Sequence, residues 1–592
     1  MIRYTVTPVD PRAHLFAVAC TVDVPDPKGQ VFSLPSWIRG SYLVRDFAKH
    51  VVTVSARAGG QPVAVERVDK RTLRCAPAAR GSLTLECTVY AYDESVRKAY
   101  LDERRGFFNG SSLFYAPAGH ENGAVEVELR RPAHGAPWRV ATAMAPGMID
   151  ADGFGSYRAA DYEEAIDHPF ELGEFQVVDF TADGIPHRYV LAGRCEVDAA
   201  RLAADSAKIC GAQRALFAHE PKLDRYLFLT RVIGAGYGGL EHRSSSALIC
   251  SRNDLPRPGA ANLSREYRTF LGLVSHEYFH LWNVKRITAQ AFARSDLGAE
   301  AYTGDLWHYE GVTSYYDDLM LLRAGVIDAP AYLDLVAETA TRMSRTPGRA
   351  VHSLADASFE AWLKYYQPDE NTPNATISYY IKGALAALCL DLHLRRHSKA
   401  TLDDVMRELW RRYGRDGRGV PERGLEQVAT ELSGVPLAAE FDAWLRSTSE
   451  LPLAALLEEF GVSAELRAGL GDADNGGRVA AKAAGASLGL KLRPGDLTIA
   501  HVATGGAAQR AGLSGGDVLV ALDGLKLSFG SWPHRLLALT PGRRCTIHYF
   551  RSDELLSAEL TAEALPLDTW TLTLAANPTV ERLARRKTWL GA

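Results

Sequence analysis

At 592 residues the chain is long enough for about three or four domains. Its 47% hydrophobic and 23% charged residues are those of an ordinary globular enzyme. With Lys+Arg 67 against Asp+Glu 71 and no long basic run, neither nucleic acid nor a membrane surface finds an electrostatic footprint.

The opening stretch, MIRYTVTPVDPRAHLFAVAC, lacks the charged head, apolar core and small-residue cleavage site of a secretory leader, which predicts a cytoplasmic protein. The eight cysteines are scattered without a C-x-x-C pair, so reduced, buried thiols are expected rather than a cysteine metal site or a disulfide framework. The first part of the chain reads as β: HLFAVACTVDV, HVVTVSARA, GSLTLECTVYAY and GAVEVELRRP alternate apolar and polar residues over strand lengths. An antiparallel β-sandwich-like domain is expected over residues 1–175, closing in the extended DHPFELGEFQVVDF. A mixed region follows over 176–458, with strands at RYLFLTRVI and SSALICS. Helical spacing appears in VDAARLAADSAKICGAQRALFAHE, APAYLDLVAETATRMS and TLDDVMRELWRRYG. Short β runs and glycines return over 459–566, before a tail at 567–592. The fold class read from this is multidomain α+β.

The chemistry concentrates in LGLVSHEYFHLWNVKRI. On a helix, residues four apart lie one turn above each other, so His276 and His280 can present two imidazoles to one ion while Glu277 reaches a water on it. The bland alternative is a helix with two ordinary histidines. A catalytic zinc takes three protein ligands and keeps one position open. Glu310, in the helical pattern DLWHYEGVTSYYDDLMLL, supplies the anion that two imidazoles leave wanting. Tyr380 opens the apolar SYYIKGALAALCLDLHL; it reads either as an oxyanion hydrogen-bond donor or as a core tyrosine. In GAGYGGLEHRSSS, Gly238 and Gly239 let a substrate approach the backbone. Glu241 reads either as an anion for a substrate ammonium or as a solvated glutamate on a turn.

Taken together, GGLEH, HEYFH, WHYEG and YIKG resemble, in order, the motifs of the aminopeptidase N family of gluzincins. The chain departs from that pattern at Leu240 and His242, and 29 residues separate His280 from Glu310. It is more similar to a sister group, the glycyl aminopeptidase family of PDZ-containing zinc metallopeptidases, which LPSWIRGSYLVRDFAKH, RGFFNGSSLF, SLGLKL and AAQRAGLSGGDVLVALDG also resemble. The resemblance implies a thermolysin-like catalytic domain over 176–458 and a PDZ-like domain over 459–566. It implies one zinc ion per chain on His276, His280 and Glu310, with Glu277 activating a water on the metal. It further implies Tyr380 as oxyanion stabiliser, Glu241 as holder of the substrate amine, and removal of N-terminal glycine or alanine from peptides. The implied partners are peptides with a free N-terminus and, at the loop Leu488, Gly489 and Leu490 of the PDZ-like domain, a peptide C-terminus. Three alternatives stand beside this reading: a zinc endopeptidase, an epoxide hydrolase on the same site, and a catalytically silent PDZ scaffold that binds peptides. SWIRGSYLVRD is read as bracing the β domain.

Overall fold

The alternating apolar positions of the first domain become strands whose buried faces meet. The computed structural model describes residues 1–591 except 78–80, 134–136, 261, 472, 480 and 482. Residues Met1–Ala301 with Trp410–Val420 form one compact unit, and Tyr302–Leu409 with Pro421–Ala592 form a second.

In the first unit, an eight-stranded sheet runs in the order Ala145–Ile149, Gly155–Ala159, Val125–Leu129, Ile2–Asp10, Leu15–Val22, Leu83–Tyr90, Val51–Ala58, Gln61–Val63. Along Leu15–Val22 every second side chain is buried, as its period of two requires. The buried face meets a four-stranded sheet that contains Arg105–Asn109 and Pro169–Gly173. Phe16 lies 5.7 Å from Phe108, which stacks on Phe170 at 4.9 Å. The wholly antiparallel sandwich is corrected at one pairing: Ile2–Asp10 and Val125–Leu129 run parallel. Alternation determines which face is buried and carries no information on strand direction, and the chain reaches this neighbour only after crossing most of the domain. Behind the four-stranded sheet, Arg105 is paired twice with Glu171, at 2.6 and 2.8 Å, both side chains buried.

The extended segment after residue 167 splits between two sheets. Pro169–Gly173 stays with the β domain, whereas Gln176–Ala182 starts a five-stranded sheet ordered Gln176–Ala182, Ile185–Ala192, Tyr226–Ile233, Ser245–Ser251, Gly238–Glu241. The short edge strand Gly238–Glu241 is antiparallel to Ser245–Ser251. The helix Arg265–Phe279 lies on this sheet, with Tyr278 edge-on to Tyr226 at 4.8 Å.

In the second unit, Tyr379–His397 is the central helix, buried along most of its length. By length and composition the stretch Thr372–His397 could cross a membrane, but 78% of its apolar window is buried within the protein, which marks a core helix. It crosses the π-helical turn Trp307–Gly311 at a pair of glycines. A Cβ on Gly311 would lie 2.5 Å from the Gly383 Cα, and one on Gly383 would lie 2.8 Å from the Gly311 Cα. The two backbones touch.

The chain ends in a small β subdomain. Leu525–Lys526, Val518–Leu522, Arg544–Arg551 and Glu554–Thr561 form one sheet, with Leu490–Leu492 and Ile499–Val502 as a separate pair. Ile499, Leu519, Trp532, Ile547 and Leu560 share its core. Asn374, in the turn Thr372–Ala375, ties this subdomain to the helical part: its Nδ2 donates to the Val502 carbonyl at 2.8 Å, and its Oδ1 accepts from the Thr504 N–H at 3.0 Å. After the β subdomain, Leu567–Leu574 returns to pair with Val462–Ala468.

Adding a methyl at the glycine crossing forces two backbones apart. Gly311→Ala and Gly383→Ala are each expected to cost about 1–3 kcal/mol or more, read as a lowered thermal midpoint. An unchanged midpoint would mean that the two segments separate freely.

Candidate active site

The helix that carries HEYFH starts at Ser264, whose hydroxyl oxygen accepts the Tyr267 N–H at 3.1 Å. It buries Phe270, Leu271, Leu273, Val274 and Tyr278. Its far end is held by Gln213, whose amide donates to the Ser275 carbonyl at 2.8 Å and lies 2.9 Å from the Ser275 hydroxyl. Regular helix stops at Phe279, and His280 is the C-cap, still with helical dihedrals (φ −62°, ψ −14°). The i, i+4 geometry therefore survives the helix end: the imidazoles of His276 and His280 are 4.6 Å apart, ring planes at 88°. The His280 Nδ1–H donates to the Asn283 carbonyl at 2.9 Å, which leaves Nε2 with its lone pair for a metal.

Two carboxylates join this imidazole. Ligand atoms of Glu241, Glu277 and His280 all lie within 4.8 Å of one another, and the three side chains are buried. Buried anions this close repel unless cations sit among them. This donor set suits a divalent cation and an ammonium. Glycines make the closeness feasible. A Cβ on Gly239 would fall 2.1 Å from Glu277 Oε1, and one on Gly40 would fall 2.1 Å from Glu241 Oε1. The Gly239 carbonyl accepts from Arg97 at 2.9 Å, so that oxygen is already engaged. Gly238 adopts φ +154° beside it.

The departure at His242 has a local cause. Asp167 is half-buried at the centre of a polar cluster: Lys285 Nζ is 2.5 Å from Oδ1, the Arg243 N–H donates to Oδ2 at 2.8 Å, and His242 Nδ1 is 3.6 Å away. Burial alone would raise the Asp167 pKa, but Lys285 and His242 outweigh it and hold the carboxyl well below its usual range.

The second unit holds Glu310 and Tyr380. The expected helix over WHYEG is a π-helical turn, Trp307–Gly311, that runs into the helix Val312–Arg323. Glu310 is buried in it. Tyr380 is in the first turn of Tyr379–His397, whose Ser378 cap accepts the Ile381 N–H. Burial first, and the Glu310 carboxylate second, raise the Tyr380 pKa well above that of a free phenol. It therefore keeps its proton as a donor. Its hydroxyl is 3.2 Å from that of Tyr366, which also accepts from the Tyr379 hydroxyl at 3.4 Å.

At the predicted carboxylate loop, Leu488 is buried and Gly489 takes φ +70° against Gly506. The Leu488 carbonyl accepts from the Ala508 N–H at 2.8 Å. The Gly489 N–H donates to the Ser487 hydroxyl oxygen at 3.1 Å. Leu490 begins the strand Leu490–Leu492.

The residue contacts of Gly40, Arg97 and Asp167 were not read from the sequence. Gly40 is in SWIRGSYLVRD, which does more than brace its own domain. Its Ser36 N–H and Trp37 indole N–H donate to the carbonyls of Leu297 and Ala299, both at 2.8 Å. The usable signal was the run of aromatic, arginine and glycine residues in an otherwise strand-like region.

Family models match residues 3–174, as a peptidase M61 N-terminal domain, and residues 269–386, as M61 glycyl aminopeptidase. A solved aminopeptidase N family protein from Idiomarina loihiensis is similar over 100% of both chains, with 39% identity and a TM-score of 0.95. An M1 zinc metallopeptidase from Deinococcus radiodurans is similar over 76% of this chain and 94% of its own, at 14% identity and a TM-score of 0.49. A mutant of it bound to a Tyr-Ser-Ala substrate covers the same shares, with 14% identity and a TM-score of 0.48. No curated protein matches. On the whole-length likeness and the two family models, this chain belongs to the M61 glycyl aminopeptidase family and is a metallo-aminopeptidase.

Proposed function

We propose that the chain is a zinc aminopeptidase that removes small N-terminal residues, glycine and alanine, from peptides. The observation that carries this reading is the buried grouping of Glu241, Glu277 and His280 within 4.8 Å at the end of the HEYFH helix. Two anions that close to one imidazole are accounted for when one serves a metal-activated water and the other a substrate ammonium. Preference for glycine is supported by the family description, and alanine is added to the proposal as the next smallest side chain.

In this reading one zinc ion per chain is held by His276, His280 and Glu310, a two-imidazole, one-carboxylate set that leaves a coordination position open. When bound, zinc polarises a carbonyl and lowers the pKa of water. Glu277 takes the proton of the attacking water and delivers it to the leaving amine. Its carboxylate can stand where it does because Gly239 offers no side chain in its path. Tyr380, kept protonated by burial and by Glu310, donates a hydrogen bond to the oxyanion. Glu241 pairs with the α-ammonium and fixes register, so that the first peptide bond and no other meets Glu277. Gly238 and Gly239 leave room for the substrate backbone along that edge strand. The thermolysin-like assignment of 176–458 and the PDZ-like assignment of 459–566 belong to the same proposal. The loop Leu488, Gly489 and Leu490 would then receive a peptide C-terminus beside the strand Leu490–Leu492.

Three outcomes test this. Gly- and Ala-initiated peptides should be hydrolysed, the same peptides with acetylated N-termini should not, and a chelator should abolish activity that zinc restores. Turnover of blocked peptides would point to an endopeptidase. Glu277→Gln should lower kcat by about 10³-fold while the protein still holds one zinc per chain by metal analysis; near-normal turnover would sink the base assignment. Tyr380→Phe should lower kcat by about 10²–10³-fold with KM little changed. A pure KM effect would make Tyr380 a binding residue instead.

A further inference from the structure

A cavity of about 750 Å³ lies in the first unit, with Gly40, the residue that makes room for Glu241, in its wall. That volume suits a small organic ligand. Its lining carries six cationic side chains, Arg39, Lys222, Arg243, Lys285, Arg286 and Arg415, against four anionic ones. The four anions are already engaged. Arg39 holds Glu163 at 3.0 Å, Lys285 holds Asp167 at 2.5 Å, Arg415 holds Glu220 at 2.8 Å, and Asp416 is 2.5 Å from Arg418. Lys222, Arg243 and Arg286 are left without a carboxylate at ion-pair distance among the described residues.

Arg286 is the telling member. Its guanidinium donates to two backbone carbonyls, those of Leu281 at 2.8 Å and Arg243 at 3.1 Å, which satisfies some N–H groups but brings no negative charge. Burial, and then the repulsion of Arg243, push its pKa down to about 10, still charged at neutral pH. Asp167 acts on it favourably but is already paired with Lys285, so a desolvated cation beside a second cation favours a further anion. The cavity also has apolar walls in Trp37, Phe292 and Trp410, the last fixed by its indole N–H to Glu220 at 2.9 Å.

We propose that this cavity binds a small organic anion, carboxylate or phosphate, between Arg243, Arg286 and Lys222. Planar guanidinium groups grip such oxyanions in pairs. The anion has two available sources: the carboxylate of a short peptide whose amine sits at Glu241, or a free metabolite. Only the first source rests on the aminopeptidase reading above.

The test has two arms. Calorimetry on metal-free protein with inorganic phosphate and with succinate should detect saturable binding, weakened at least about tenfold in Arg243→Gln and in Arg286→Gln. Arg243 is exposed and has no carboxylate partner, so its variant is expected to fold, which melting curves check. Kinetics then compare Gly-Ala with Gly-Ala amide on the zinc enzyme. If the substrate supplies the anion, both variants raise KM for the free acid about tenfold and leave the amide unchanged. If a free anion is the ligand, the two peptides respond alike and only the calorimetric signal falls. No saturable binding of either probe, together with no difference between acid and amide, overturns the proposal. An enzyme inactive on both peptides that still binds phosphate or succinate would reject the aminopeptidase reading and keep this one.

Discussion

The contact on which the second unit depends is backbone against backbone at Gly311 and Gly383. One glycine ends WHYEG and the other ends YIKG, so Glu310, one residue before Gly311, and Tyr380, three before Gly383, ride on segments that pass at the shortest spacing two chains allow. Any larger residue would move both groups at once. The first unit uses the same device on side chains. Gly239 and Gly40 place main chain where a methyl would overlap the carboxylates of Glu277 and Glu241. These four glycines thus set distances among polar groups, and of the four Gly40 alone takes a positive φ.

Such close placement raises an electrostatic problem that each unit answers differently. In the second unit the neighbour of the buried Glu310 is a phenol, which avoids like-charge repulsion by staying protonated. In the first unit Glu241 and Glu277 are both carboxylates, and their ligand atoms lie within 4.8 Å of one another and of His280. Beside Arg243, Asp167 resolves the same difficulty with Lys285 and His242. Asp167, matched by Lys285, contrasts with Glu241 and Glu277, two carboxylates gathered around an imidazole in a donor set that suits a cation.

The sequence made most of this legible where chemistry repeats at fixed spacing. HEYFH, WHYEG and YIKG identify three buried or half-buried groups because helix geometry converts spacing into direction. Strands were readable because alternation reports burial, and SSALICS and RYLFLTRVI form strands within the runs expected. What stayed hidden was everything set by contacts distant in sequence. The parallel pairing of Ile2–Asp10 with Val125–Leu129 is one case. The π-helical turn at Trp307–Gly311 is another, since its apolar pattern is indistinguishable from an α-helix over one turn. The role of Gly40 is a third: a glycine in a loop carries no mark of which carboxylate will lie against it.

The β domain illustrates why motif reading understates an enzyme. Positions in the first 175 residues touch the strand Gly238–Glu241 or the residues just after it. Gly40 backs the Glu241 carboxylate, Arg97 donates to the Gly239 carbonyl, and Asp167 accepts from the Arg243 N–H. An edge strand held only by Ser245–Ser251 would leave one side open to fray or to pair elsewhere. Here Arg97 engages the Gly239 carbonyl without adding a strand. The β domain is therefore a wall of the candidate site around Glu241, and the cavity that shares Gly40 is where that wall meets the rest of the unit.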